Sequence, residues 1–240
     1  MNEKRTNNLT YKELMEKTKY SVTLNYFGFD YKVYSNNIKD IDRINYIYKH
    51  FKSSSKSFVL NIFLLSEGNS LQENLMIPNS EFHIYYRSNN DDVEEWIFPD
   101  TPFPPCSLPP LEGKFIILHG MAFISSRNKA IVAVAPSLTG KSTLMIEMAR
   151  RGFKVLSDDL LFIDIISHKI CKYPKPVGIR ERGLYLNKGL KKLVKSYLAR
   201  NPNVLTFLET EFGTKVWLIH LEDIYPNCYY DFDCDIEHIN

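Results

Sequence analysis

The sequence predicts an α/β fold in two parts, a small N-terminal α+β unit followed by a larger domain of alternating strands and helices. Residues 1 to about 100 are rich in Tyr, Phe, Asn and Ser and contain the two-residue alternation of half-buried strands. From Gly113 onward, strand-like and helix-like segments alternate, which is typical of a sheet with helices packed on it. We therefore predict a small α+β domain over 1–100, a proline-rich linker over 101–112 and an α/β domain over 113–240.

In the first part, YSVTLNYFGFDYKVYS (20–35) alternates on either side of Gly28, which indicates two strands around a turn. IKDIDRINYIYKHF (38–51) indicates a helix with one apolar stripe, formed by Ile38, Ile41, Ile44, Ile47 and Tyr48. SFVLNIFLLS (57–66) and EFHIYYRS (81–88) are strand candidates. The prolines of FPDTPFPPCSLPPL (98–111) exclude a helix or a central strand, because proline lacks the amide hydrogen and fixes φ. We interpret this stretch as a stiff connection, with a proline-rich ligand for another protein as the alternative.

In the second part, strands are predicted at KFIILHG (114–120), KAIVAVA (129–135), FKVLS (153–157), LLFIDII (160–166) and KVWLIHL (215–221). KSTLMIEMARR (141–151) predicts a helix that ends where a C′ glycine, Gly152, is expected. NKGLKKLVKSYLAR (187–200) indicates a helix with a solvated basic face. The aromatic and acidic stretch after this last strand is interpreted as either disordered or a segment that docks a partner.

The composition excludes several classes of protein. A hydrophobic fraction of 44% with 24% charged residues is ordinary for a soluble protein with a core, and a net charge of +2 is too small for wholesale nucleic-acid binding. The cysteines lack metal-ligand spacing and fit free thiols in a reducing compartment: Cys106, Cys171, Cys228 and Cys234. Neither a signal peptide nor an apolar run of membrane-spanning length is recognised. We therefore expect a cytoplasmic protein without nucleic-acid or membrane partners, and the sequence leaves a homo-oligomer open.

The segment APSLTGKST (135–143) nearly matches the phosphate-binding pattern G-x-x-x-x-G-K-[ST]. Such a loop points backbone N–H groups inward, and the helix that follows adds its positive N-terminal end. In this pattern Lys141 reaches the β- and γ-phosphates, while the hydroxyl of Ser142 can ligate Mg²⁺. The predicted nucleotide-binding residues of the loop are Ser137, Leu138, Thr139, Gly140, Lys141, Ser142 and Thr143.

The loop departs from the pattern at its first glycine, where Ala135 stands and is followed by Pro136. Proline favours an extended conformation of Ala135 and removes one amide donor from the entrance of the loop. The amides around Leu138 to Ser142 are untouched. We therefore expect a loop that is altered at its rim and intact at its centre.

Asp158 and Asp159 follow a predicted strand, at the sheet edge where ligands collect in α/β proteins. An acidic residue near a γ-phosphate can bind Mg²⁺ or accept the proton of an attacking hydroxyl. Adjacent strand residues point to opposite sides, so the two carboxylates could divide these roles. His119 lies at the end of the predicted strand 114–120, which precedes the strand that leads into the loop. It could orient an aspartate or bind phosphate.

Four elements in order resemble the HPr kinase/phosphorylase family and its stand-alone relatives: LHG (118–120), SLTGKST (137–143), RRGFKVLSDD (150–159) and PVGIRERGL (176–184). The resemblance covers residues 113 to about 185. It implies a P-loop kinase domain of the HPr kinase and phosphoenolpyruvate carboxykinase type that uses ATP and Mg²⁺ to phosphorylate a serine of a protein partner. The Tyr-rich first unit is more similar to the stand-alone relatives, among which lasso-peptide kinases phosphorylate the terminal serine of a precursor peptide.

The resemblance also implies roles for single residues. Lys141 would contact the phosphates, Ser142 and Asp158 would hold Mg²⁺, and Asp159 would act as general base on the substrate serine with support from Asp158 and His119. The family's later motif is Glu, one residue, then Arg-Gly-Leu. Aligned on Arg182-Gly183-Leu184, this motif has Arg180 in place of the glutamate, so Arg180 is assigned to the nucleotide. Adjacent Glu181 is the remaining acidic metal ligand, although it would point the other way in an extended segment, and the departure puts the reverse, dephosphorylating reaction in question.

Two other functions fit the same residues. A small-molecule kinase would need a deep site enclosed by basic residues, for which Lys172, Lys175, Arg180 and Arg182 are candidates. These residues could equally close over ATP or lie in a solvated loop. A nucleotide-binding regulator without catalysis is favoured by Ala135 and Arg180. After a loss of activity, substitutions should accumulate at the charged centre of the site as readily as at the rim of the loop. The charged centre is intact. The sequence therefore favours an active serine kinase.

Overall fold

A computed structural model describes residues 9–54, 60–66, 82–88, 94–95, 111, 113–136, 138–202, 204–209 and 214–237. The chain divides into two compact units, Met1–Glu112 and Gly113–Asn240, and each combines helices with sheet. This division falls at the residue where the sequence pattern changes. Apart from Leu111, the predicted proline-rich linker lies outside the described residues.

The first unit contains a helix, a hairpin, a second helix and further strands. Its elements are α1 (Tyr11–Lys17), β1 (Tyr20–Tyr26), β2 (Phe29–Ser35), α2 (Ile38–Ile47), β3 (Leu60–Ser66), β4 (Phe82–Ser88) and β5 (Glu94–Glu95). The strands form one sheet in the order β1-β2-β3-β4-β5, in which only β2 and β3 run parallel. The predicted hairpin is confirmed, and its turn uses left-handed backbone at Phe27 and Gly28.

Helix α2 shows how the predicted apolar stripe is used. Ile41, Ile44 and Ile47 are buried against the sheet, whereas Ile38, the first helical residue, is 45% exposed. The side chain of Asn37 caps the helix by accepting from the Lys39 amide, which starts α2 at Ile38. The helix ends at Ile47, and the rest of the predicted segment forms a 3₁₀ turn over Lys49–Phe51. The predicted stripe is therefore buried except at Ile38, and its last residue, Tyr48, is buried but lies just after the end of the helix.

The second unit begins with the elements that the sequence predicted and adds others. The elements are β6 (Phe115–Ile124), β7 (Ala130–Val134), α3 (Lys141–Arg150), β8 (Val155–Ser157), β9 (Leu160–Asp164), β10 (Ile170–Cys171), β11 (Val177–Arg180), α4 (Glu181–Leu186), α5 (Lys188–Arg200), β12 (Thr206–Glu209) and β13 (Thr214–Ile219). Helix α3 ends as predicted, with Gly152 in left-handed backbone. Strands β10, β11 and β12 and helix α4 were not predicted, because each is six residues or shorter and lacks a clear periodicity.

The long strand β6 organises the second unit. One sheet has the order β10-β9-β6-β7, and β8 also pairs with β6. Strands β7, β8 and β9 are all antiparallel to β6, so β7 and β8 run parallel to each other on its two sides. Their carboxyl ends therefore meet at one edge, beside Gly120 in the middle of β6. Strands β11-β13-β12 form a separate antiparallel sheet.

The described part of the acidic, aromatic segment after β13 packs on the sheet, which excludes disorder, one of its two interpretations, for those residues. The other interpretation, docking of a partner, stays a prediction. The segment pairs with three parts of the sheet, through the bridges Tyr229 to Val155, Cys234 to Ile170 and Ile236 to Ala130. Cys228 and Cys234 are buried there as free thiols. We refer to residues 224–237 as the C-terminal strap. It covers the sheet edge in the way that exposed strand edges need.

Helix α5 buries Leu190, Val194 and Tyr197 and leaves most of its basic side chains in solvent, as the sequence predicted. Among the described residues, no helix combines the length and the apolar character that crossing a bilayer requires.

Candidate functional site

The loop between β7 and α3 turns through two residues in left-handed backbone. Leu138 and Gly140 adopt positive φ, 66° and 97°, which turns the chain sharply into the first residue of α3. Gly140 begins the helix without a side-chain cap, so the first-turn N–H groups remain available at the positive end of the helix. Leu138, Thr139, Gly140 and Thr143 are exposed, whereas Ser137 lies outside the described residues. The predicted centre of the loop therefore has suitable geometry for phosphate.

Lys141 is held by the rim of this loop. Its Nζ atom donates to the carbonyl oxygens of Ala135 at 2.6 Å and Pro136 at 2.8 Å. Thr139 Oγ1 donates to the same Pro136 carbonyl at 2.8 Å. An ammonium group has three donors, so the two loop bonds leave one for a phosphate oxygen. The residues that depart from the glycine pattern thus contribute carbonyls that position the lysine.

Gly120 allows the strands on either side of β6 to converge. A Cβ atom at this position would lie 2.8 Å from the carbonyl oxygen of Ala133 and 2.9 Å from Leu161 Cδ1. The Gly120 amide also donates to the Asp159 carbonyl at 3.1 Å. The absence of a side chain therefore lets β6 approach β7, just before the loop, while it holds the backbone of the aspartate pair.

We expect the Gly120→Ala variant to lose about 1–3 kcal/mol of unfolding free energy, because the new methyl group meets backbone that cannot move aside. Urea denaturation measures this loss. The control is Gly178→Ala in β11, where a Cβ atom would meet Val216 and Leu218 at ordinary contact distances of 3.5 and 3.9 Å. Equal stability of the two variants would contradict the close approach at Gly120.

Asp158 is buried against the first turn of α3. Its side chain is 4% exposed, and Oδ2 accepts a hydrogen bond from Ser142 Oγ at 3.1 Å. Burial, followed by the negative charge of Asp159, raises the pKa of Asp158 to about 6, against the lowering effects of Ser142 and Lys175. Its Oδ1 atom is buried without a hydrogen-bond partner among the described residues. A carboxylate oxygen left in this state is suited to a ligand that supplies positive charge.

This burial predicts an unusual dependence of stability on pH. The unfolded chain loses the Asp158 proton near its ordinary pKa of 3.8, whereas the folded protein keeps it to about pH 6. Wild-type stability should therefore fall, relative to Asp158→Asn, by about 3 kcal/mol as the pH rises from 4 to above 6. The measurement is urea denaturation of both proteins across this range in a chelator.

The control for this prediction is Asp164→Asn. Backbone and side-chain hydrogen bonds from Ser167 lower the pKa of Asp164, so wild-type stability relative to this variant should rise with pH. The same slope for both variants would contradict a buried, destabilised carboxylate at Asp158.

The Asp159 carboxylate is contacted by the side chains of His119 and Lys175. His119 Nε2 lies 3.2 Å from Oδ1 and Lys175 Nζ lies 3.4 Å from Oδ2, while 55% of the Asp159 side chain remains exposed. Its φ of 73° is unusual for a non-glycine residue, a conformation that aspartate tolerates better than most. The contact with His119 corresponds to one of its two predicted roles, the orientation of an aspartate. The two carboxylates thus have different surroundings. They lie in the bend between β8 and β9, so the alternation of strand residues from which this difference was predicted is not its cause.

Lys175 is the residue whose place in the site the sequence left unresolved. The sequence left three places open for it, a small-molecule site, a position over ATP or a solvated loop. Its side chain is 8% exposed and contacts Asp159, so it does not lie in a solvated loop. Its flanking residues, Pro174 and Pro176, form the signal that could have found it, because two prolines around a lysine indicate a rigid segment. Lys172, three residues earlier, is exposed.

The remaining predicted residues lie in the segment that follows Lys175. Arg180 is the last residue of β11 and is half-buried, and Glu181 begins α4 with an exposed side chain. The described residues contain no group of three or more His, Cys, Asp or Glu that could hold a metal. The carboxylate that accepts a hydrogen bond from Ser142 is that of Asp158. Metal contact by Asp158 and Glu181 and nucleotide contact by Arg180 stay predictions.

Comparison of the chain with protein-family models, with curated proteins and with solved structures gives no match.

Proposed function

We propose that this chain is an ATP- and Mg²⁺-dependent kinase that transfers the γ-phosphoryl group to a serine hydroxyl of a peptide or protein. The observation that carries the proposal is the contact of Ser142, on the first turn of α3, with the buried Asp158, next to an exposed and clamped Asp159. A phosphate-binding turn, a metal-binding pair and a base are thereby available within one edge of the sheet. These are the parts that phosphoryl transfer requires.

The side chains of Ser142 and Asp158 fit Mg²⁺ because they offer oxygen ligands. Asp158 Oδ1 is also buried without a hydrogen-bond partner among the described residues. Bound there, Mg²⁺ would neutralise charge on the phosphate oxygens. Lys141 and the first-turn amides of α3 would hold the phosphates of ATP. The protein side chains therefore supply the phosphate site and the anchor for the cation.

Asp159 would act on the acceptor. The serine Oγ atom loses its proton to a carboxylate oxygen of Asp159 as the Oγ–Pγ bond forms, and the bond from Pγ to the leaving oxygen breaks to release ADP. His119 and Lys175 keep the carboxylate in place through its two oxygens. The large exposed fraction of Asp159 favours a serine presented by a polypeptide, which can approach an open edge.

Intact-mass spectrometry tests the proposal. The protein is incubated with ATP, Mg²⁺ and two substrate classes, peptides that end in serine, as lasso-peptide precursors do, and HPr-like proteins. We expect one added phosphate, mapped to serine, on a member of one class and none with Asp159→Asn. Nucleotide binding without transfer to either class would favour the small-molecule kinase or the regulator.

A further inference from the structure

The ammonium group of Lys175 is buried more deeply than its protein contacts explain. Removing a charged amine from water is costly unless close partners compensate for it. Among the described residues, its one hydrogen-bond acceptor is Asp159 Oδ2, at the long distance of 3.4 Å. The Tyr173 ring lies further away, with its centroid 5.6 Å from Nζ. At least one of the three donors of this ammonium therefore has no protein acceptor in the described part of the chain.

The backbone holds Lys175 in this position from both sides. The Tyr173 amide donates to the Leu156 carbonyl at 3.0 Å, which ties the segment to β8. The Tyr229 hydroxyl, from the C-terminal strap, donates to the Lys175 carbonyl at 3.1 Å. Prolines on either side of Lys175 further restrict the chain. The lysine is thus placed by rigid neighbours, as a functional side chain requires.

A role as counter-ion to Asp159 does not account for the burial. Asp159 is mostly exposed, so water stabilises its charge, and His119 already contacts its other oxygen. An exposed carboxylate gains little from an ion pair. The buried Asp158 also attracts the ammonium group of Lys175, which lowers the pKa of that carboxyl. Asp158 accepts no hydrogen bond from Lys175, because its Oδ2 atom accepts from Ser142 and its Oδ1 atom has no partner among the described residues. The unused donors of Lys175 are better explained by a further anion that binds beside Asp159.

Resting on the proposed kinase function, we propose that Lys175 is a second phosphate-binding cation, which contacts the γ-phosphoryl group of ATP on the Asp159 side of the site. Lys141 holds the nucleotide from the loop, on the far side of β6. Lys175 donates its remaining N–H groups to the oxygens of the group that is transferred. ADP lacks that group, so the contact distinguishes ATP from ADP.

Calorimetric titration with ATP and with ADP, each with Mg²⁺, tests the assignment. Lys175→Met removes the charge and keeps an apolar chain against Tyr173. We expect the Kd for ATP to rise about tenfold and the Kd for ADP to stay within twofold, since a charged hydrogen bond is lost for ATP alone. Lys175→Arg keeps the charge and should retain part of the preference for ATP.

Two controls isolate the effect. Lys172→Met removes an exposed lysine of the same segment and should leave both affinities unchanged. Asp159→Asn should keep the preference for ATP over ADP. If Lys175 acted through Asp159, this variant would lower that preference.

Three results would overturn the assignment. Equal losses for ATP and ADP in both Lys175 variants would make the residue structural. If Lys175→Met binds ATP and ADP with unchanged affinity, Lys175 is only a counter-ion to Asp159. Failure of the wild type to bind either nucleotide would remove the proposed function and this inference together, whereas the first two results leave the kinase proposal intact.

Discussion

Asp159→Asn is expected to abolish phosphoryl transfer, with a fall of roughly 10²–10⁴-fold in rate, while nucleotide affinity does not decrease. The amide cannot accept the serine proton. Its shape and its ability to hydrogen-bond His119 are similar, and asparagine tolerates the left-handed backbone that Asp159 adopts, with φ of 73°. The substitution therefore removes the base with little effect on the fold. Single-turnover phosphorylation of the identified substrate measures the rate, and calorimetry measures the affinity.

The matched control is Asp231→Asn, which neutralises an exposed aspartate of the C-terminal strap. It should transfer phosphate at the wild-type rate. Asp158→Asn should instead impair transfer through the metal. If Asp159→Asn stays active and Asp158→Asn alone loses transfer while binding nucleotide normally, the assignment within the pair is reversed.

Lys141→Ala is expected to weaken nucleotide binding by roughly 10- to 100-fold, because it removes a charged hydrogen bond to phosphate. It also removes the bonds from Nζ to the Ala135 and Pro136 carbonyls, which hold the loop over the start of α3. Both effects act on ATP and ADP alike, which separates this lysine from Lys175. Titration with the two nucleotides measures the change.

The control for the loop lysine is Lys129→Ala, an exposed position just before β7. Its affinities should equal those of the wild type. Normal nucleotide binding by Lys141→Ala would show that the loop is not the phosphate site, and the function proposed from it would be lost.

The parts of the fold that local pattern could predict are those with strong periodicity or turn chemistry. The hairpin at Gly28, helix α2 and the strands around α3 follow from alternation, helical spacing and the positions of glycine. The ordered C-terminal strap could not be predicted in this way. Its strand bridges to Val155, Ile170 and Ala130 pair residues far apart in the chain, and a segment with little periodicity carries no signal of such pairing.

The candidate site likewise has features that the local sequence predicts and features that it does not. The sequence predicts the turn between β7 and α3 as the candidate phosphate site and the pair Asp158-Asp159 beside it, because local sequence determines a tight turn and the residues next to it. The different surroundings of the carboxylates come from packing. Asp158 is buried because Ser142 and α3 cover it, and Asp159 is exposed between His119 and Lys175.

Sequence by itself therefore determined which residues the proposed chemistry uses, namely the loop with Lys141, the Ser142 hydroxyl and the pair Asp158-Asp159. Only the tertiary structure decided which groups meet. The antiparallel pairing of β6 with both β7 and β8 brings the loop and the aspartates to one edge, and the strap and two prolines hold Lys175 beside them. The physical reason is that burial and partnership depend on contacts between distant segments, which residue spacing does not encode.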